Sequence, residues 1–184
     1  MKVRFHRGED GQYSVHIHRP DGVVVSLPGA GGRWPVPHDL AHVATERALG
    51  IAGGVFGSAA SGAMFEDMAV VSGRLRHDPK RRSQEVLRAN TKARMITVAE
   101  TMTSLVHGAV QHGRTGELLK RARGVWGTVR EDSFPFTPAQ FQAAVRDLRE
   151  LSERWARTPA GGVLDVEWPD ELITRNRARS GRRS

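Results

Sequence analysis

The chain opens with short runs in which apolar and polar residues alternate. Lys2-Val3-Arg4-Phe5-His6 and Tyr13-Ser14-Val15-His16-Ile17-His18 are separated by the turn cluster Gly8-Glu9-Asp10-Gly11. A second turn, Arg19-Pro20-Asp21-Gly22, leads into Val23-Val24-Val25-Ser26-Leu27. A period of two sends neighbouring side chains to opposite faces, so these runs predict three strands of a small antiparallel meander. After a glycine-rich passage the period changes. From His38 onward the pattern is helical, with Pro37 suited to a first helical position and Gly50 to the position just past the end. At about 100° per residue, Leu40, Val43, Ala44 and Ala48 gather on one side of this helix.

Residues 53–65 predict a second helix despite their glycines, with small side chains that let another helix approach closely. Residues 74–82 read as a basic loop broken at Pro79. Ser83 is placed to cap one long helix to about residue 112, with Val98, Met102 and Val106 among its core positions. Thr115 suits the cap of a shorter helix. Thr137-Pro138-Ala139-Gln140 combines a cap, a proline at the first helical position and a capping-box glutamine. The helix it starts puts Phe141, Leu148, Leu151 and Trp155 on one face. Residues 162–168 alternate as a last strand that could join the meander. The expected fold is α+β: an N-terminal antiparallel meander packed with a mainly helical body. One domain is expected over residues 1–173, followed by a disordered basic tail over 174–184.

The polar side of the helix at His38 carries the candidate chemistry. His38, Asp39, His42 and Glu46 fall within an arc of roughly 100° opposite the apolar stripe. His38 and His42 are one turn apart, the relation by which a helix offers two imidazoles to one cation. Asp39 could join them. Glu46 lies about 12 Å along the axis from His38, too far for one ion to hold both easily. Helical side chains lean toward the N-terminus, so Glu46 could orient His42 or ligate beside it. Glu100 and His107 are seven apart on the predicted long helix and could bring a third ligand, although a solvated stripe is the simpler account of the two. The competing reading of the motif is an ordinary wet helix face with Asp39 complementing the dipole. His16 and His18 share a strand face and could chelate a metal, but the outer face of a meander calls for such residues anyway.

Pro-His-Asp-Leu-Ala-His-Val-Ala-Thr-Glu, followed by Gly-Gly-Val-Phe-Gly and preceded by short strands, resembles a family of uncharacterised bacterial proteins with the pattern Pro-His-Asp-Leu-x-His-x-x-x-Glu. The resemblance covers roughly residues 1–65 and implies no particular activity. His38, Asp39 and His42 are also similar to the His-Asp-x-x-His motif of a zinc-binding ubiquinone-biosynthesis family, in which a distant glutamate follows. Gly54 stands where that glutamate is expected. The departure makes Glu46, or a carboxylate from outside the helix, the substitute.

Composition narrows the chemistry. The chain has 184 residues and no cysteine, which excludes disulfides, thiolate ligands and zinc fingers and fits a reducing cytoplasm. A metal must sit on nitrogen and oxygen donors; zinc is the first candidate, with iron or manganese as alternatives. The start lacks the apolar run of a secretory signal, and no stretch reaches the length of a membrane span, so no membrane insertion is expected. No phosphate-binding glycine loop, His-Glu-x-x-His or nucleophile triad is visible. A small-molecule substrate or protein partner is expected for the metal reading, without a specified reaction. The formal net charge is +8 and it is regional. The tail holds five arginines without an offsetting acid, and residues 74–94 hold eight Lys/Arg against Asp78 and Glu85. The alternative function is therefore non-enzymatic nucleic-acid binding or an adaptor role. It would act through Arg74, Arg76, Lys80, Arg81, Arg82 and Arg88 with the arginine tail.

Overall fold

The computed structural model describes residues 1–29, 36–75 and 78–173. Arg76 and the arginine tail lie outside these residues. The predicted meander forms as β1 (Lys2–Arg7), β2 (Tyr13–His18) and β3 (Val24–Pro28). It belongs to a five-stranded antiparallel sheet that β4 (Ala69–Ser72) and β5 (Val163–Glu167) complete, in the order β4-β3-β2-β1-β5. The C-terminal strand thus joins the N-terminal meander, pairing Val3 with Val166 and Phe5 with Leu164. Alternation decides the faces. Val3, Phe5, Val15, Ile17, Val25, Leu164 and Val166 are buried on one side, while Arg4, His6, His16, His18 and Asp165 occupy the other.

The helices are α1 (His38–Leu49), α2 (Val55–Ala60), α3 (Pro79–Lys92), α4 (Met95–Gln111), α5 (Leu118–Val129) and α6 (Pro138–Arg157). The capping box is present at α6: Thr137 accepts from the Gln140 amide, and the Gln140 side chain returns to the Thr137 amide. Gly50 ends α1 in the left-handed conformation, φ 70°, as its position predicted.

Helix α1 is the central element, packed against α6 and α4 and adjoining α2. This corrects the expectation of a half-wet helix. Leu40, Ala41, His42, Val43, Ala44, Thr45 and Glu46 are consecutive and all buried. The polar face is covered because α2 and α4 close over it, and a helical wheel does not reveal how many neighbours a helix will have. Three smaller differences have local causes. Pro79 starts α3, with Asp78 rather than Ser83 accepting from the first turn through the Arg81 amide. The predicted long helix divides at Arg94, which takes a left-handed φ of 54° and donates to the Val129 carbonyl. Polarity explains the division: α3 buries Ser83 alone, whereas α4 buries Val98, Ala99, Met102, Val106 and Ala109. The glycine-rich helix is shorter than expected, six residues long.

Candidate metal centre

Two successive turns of α1 and the middle of α4 build the site. His42 is 2% exposed, and its two ring nitrogens meet two carboxylates. Nδ1 lies 3.1 Å from Glu46 Oε1, and Nε2 lies 3.3 Å from Glu100 Oε2. His38 stands beside it with ring centroids 4.8 Å apart, nearly perpendicular. Its Nε2 is 3.8 Å from the same Glu100 oxygen, and its Nδ1 is 3.4 Å from Nδ1 of His107. One ligand atom each from His38, His42 and Glu100 lie within 4.8 Å of one another, a grouping that could hold a metal ion. Among the described residues no other three His, Asp or Glu side chains meet in this way.

Glu46 does not sit in that trio. Its carboxylate is fully buried and accepts from the Val55 amide at 2.8 Å and the Phe56 amide at 3.1 Å, as well as facing His42. These amides open α2, where they have no intrahelical acceptor, and Glu46 satisfies them. An ionised carboxylate only accepts, so the proton between it and His42 belongs on Nδ1 of the imidazole. That leaves His42 Nε2 as the nitrogen with a lone pair for a cation. Gly54 makes this arrangement sterically possible. A Cβ there would lie 2.3 Å from Glu46 Cδ and 2.5 Å from each of its oxygens.

Asp39 also falls outside the trio, because its side chain turns toward the sheet. Tyr13 donates its hydroxyl hydrogen to Asp39 Oδ2 at 2.7 Å. Burial raises the Asp39 carboxyl above its ordinary value, and burial beside Asp39 pushes the Tyr13 phenol up as well. Glu100 completes the trio. Hydrogen bonds to His38 and His42 hold it well below the usual carboxylate range. Burial alone would lower the His42 pKa, but its bonds to Glu100 and Glu46 prevail and carry it up to about 10. Without an ion, this is an imidazolium clasped by two carboxylates. A divalent ion would take the place of the proton on Nε2, leaving the Nδ1 proton directed at Glu46.

The donor set fits such an ion. Ligand atoms around a four-coordinate zinc stand roughly 3.3–3.6 Å apart, given bonds of about 2.0–2.2 Å. The His42–Glu100 pair is already at that separation, whereas the trio as a whole spans up to 4.8 Å, so His38 would have to move inward by about 1 Å to share the ion. Two neutral imidazoles and one carboxylate leave a coordination position open. His38 is 38% and Glu100 50% exposed, so the open side faces solvent.

Glu100 was readable only as one of several possible third ligands, through its seven-residue spacing from His107 on α4. Tyr13 and Thr103, whose hydroxyl lies 3.4 Å from His42 Nδ1, left no signal in the sequence. His16 lies on the outer sheet face, its ring 4.2 Å from that of His6, away from the trio. In the basic region Arg74, Lys80, Arg81 and Arg88 are exposed, with Arg81 paired to Glu85 at 3.3 Å. Arg82 has a structural task, donating to the Ser61 carbonyl at 3.1 Å and lying 3.8 Å from Asp21.

Comparison of the chain with protein-family models, with curated proteins and with solved structures finds no match. No helix among the described residues is long and apolar enough to cross a membrane.

Proposed function

We propose that this protein binds one divalent transition metal through His38 and His42 of α1 and Glu100 of α4. Zinc is the first candidate, and iron or manganese suits the same donors. One observation carries the reading: two imidazoles and a carboxylate converge while the second nitrogen of His42 faces a buried carboxylate. Carboxylate partners of this kind fix the tautomer and aim of a metal-ligating histidine. A metal held there supplies polarisation of a bound water or substrate oxygen, which suits the partly solvent-facing side of the site. The chain's own share is to orient His42 through Glu46 and to bring Glu100 across from α4.

The test is metal content and zinc titration of protein purified without an affinity tag. The proposal expects one tight equivalent in the wild type and none in His42→Ala or Glu100→Gln. Equal metal content in all three proteins would refute it.

A second reading, nucleic-acid binding, draws on α3, which leaves Lys80, Arg81 and Arg88 exposed. If those residues meet phosphates, each charge-neutralising substitution lowers the salt dependence of duplex binding by about 0.9 per contact. Binding that keeps the wild-type salt slope in Lys80→Gln and Arg88→Gln would remove this reading.

A further inference from the structure

Two cavities flank α6, and Arg149 lines both. The larger, about 470 Å³, lies between α6 and the turn that leads into α5. Its walls include Leu118, Leu119, Phe141 and Val145, with Arg146 and Arg149 beside them on α6. The smaller, about 320 Å³, lies between α4 and α6 and is bounded by His107, the imidazole that stands against His38. Volumes of ~300–1,000 Å³ are typical of small-molecule sites.

The charge pattern narrows the ligand. Arg146 and Arg149 are exposed, and among the described residues neither makes a hydrogen bond or ion pair. No Asp or Glu lines the larger cavity, although Glu153 lines the smaller. Two guanidinium groups without counter-ions, beside a wall of leucine and phenylalanine, favour a molecule with an anionic head and an apolar body. A cationic ligand would meet like charge, and a bare inorganic anion would leave the apolar wall unused. Arginine forks match carboxylate and phosphate oxygens equally well, so the head belongs to that shared class.

We propose that the larger cavity binds a small amphiphilic anion, its apolar chain against Leu118, Leu119 and Phe141 and its head on Arg146 and Arg149. The site does not depend on the metal reading, and neither arginine touches the proposed ligands His38, His42 and Glu100.

The test titrates octanoate, octyl phosphate and inorganic phosphate into the full chain by calorimetry. Octanoate or octyl phosphate should saturate one site. Arg146→Gln and Arg149→Gln should each weaken that binding by roughly 10-fold or more, as loss of a charge-assisted hydrogen bond does. Gly116→Leu provides a second variant. Gly116 lines the cavity, and a Cβ there meets nothing within 4 Å, so a larger residue can be attached at the cavity wall without a clash at Cβ. It should abolish binding while the melting temperature and metal content stay at wild-type levels. Preference for octyl phosphate would assign the head as phosphate, and preference for octanoate would assign it as carboxylate. Absence of saturable binding, binding that survives all three substitutions, or inorganic phosphate binding as tightly as octyl phosphate would overturn the proposal.

Discussion

Replacing Gly54 with alanine tests whether the buried Glu46 carboxylate is the link between fold and site. The backbone tolerates the change, since Gly54 has an ordinary φ of −76°. The obstacle is the new methyl group, which would stand 2.3 Å from Glu46 Cδ where contacts of 3.4–4 Å are ordinary. The carboxylate must retreat by about 1 Å, which carries the bonds from Val55 at 2.8 Å and Phe56 at 3.1 Å beyond hydrogen-bonding range. Bonds to a charged group contribute roughly 1.5–3 kcal/mol each, and relaxation recovers part of the loss. We expect a destabilisation of about 3 kcal/mol. For a chain of this size that lowers the melting temperature by about 6–12 °C. His42 loses its orienting partner at the same time, so zinc affinity should fall by roughly 10–100-fold. The assay is thermal unfolding and zinc titration of Gly54→Ala, alone and combined with Glu46→Ala. In the Glu46→Ala background the methyl group meets no carboxylate, and its added cost should shrink below about 1 kcal/mol. A single variant with wild-type melting temperature and affinity, or costs that simply add in the double variant, would refute the link.

His38→Ala and His42→Ala should both abolish zinc binding, but only His42→Ala, which vacates a buried position facing Glu46, should also lower the melting temperature clearly. Equal stability of the two variants, read by thermal unfolding, would contradict this asymmetry. Metal-free protein should lose stability as pH rises from about 6.5 toward 10, because the His42 pKa is raised on folding and its contribution is complete only below the unfolded value. The depressed Glu100 contributes in the opposite sense, present above about 4.5 and lost as pH falls further. In zinc-loaded protein the ion takes the place of the His42 proton, so the alkaline loss should vanish; parallel melting profiles with and without zinc would count against the site. Gly108→Ala on α4, where an added Cβ meets nothing, should raise stability by about 0.5–1 kcal/mol with zinc binding unchanged, checked by chemical denaturation and titration.

Much of this molecule was legible in local pattern. Alternation placed the meander and its buried face, and the last strand's alternation suited the sheet that it joins. The capping signals at Thr137 and Gly50 located α6 and the end of α1. The one-turn spacing of His38 and His42 put two imidazoles on one helix face, and the lean of helical side chains brought Glu46 back toward His42. Other features depend on neighbours distant in sequence. Burial of α1 nearly all round needs the positions of α2 and α4. The Tyr13–Asp39 hydrogen bond joins residues 26 apart, and it draws Asp39 away from the other candidate ligands. Strand β4, Ala-Val-Val-Ser, is too short to show a period, and all four of its residues are exposed. Arg94 carried no glycine or proline to mark the break before α4. Gly54, read in sequence as the gap in a ligand set, proves to be the space that Glu46 occupies.

The central claim is that His38, His42 and Glu100 share one ion, and X-ray absorption at the zinc edge of the loaded protein tests it most directly. The account predicts two imidazoles with Zn–N distances of about 2.0–2.1 Å and carboxylate or water oxygens completing a shell of four to five. One imidazole should disappear from the spectrum in His38→Ala protein if any zinc is retained at high concentration. A shell with fewer than two imidazoles in the wild type, or a spectrum unchanged in His38→Ala and Glu100→Gln, would contradict it.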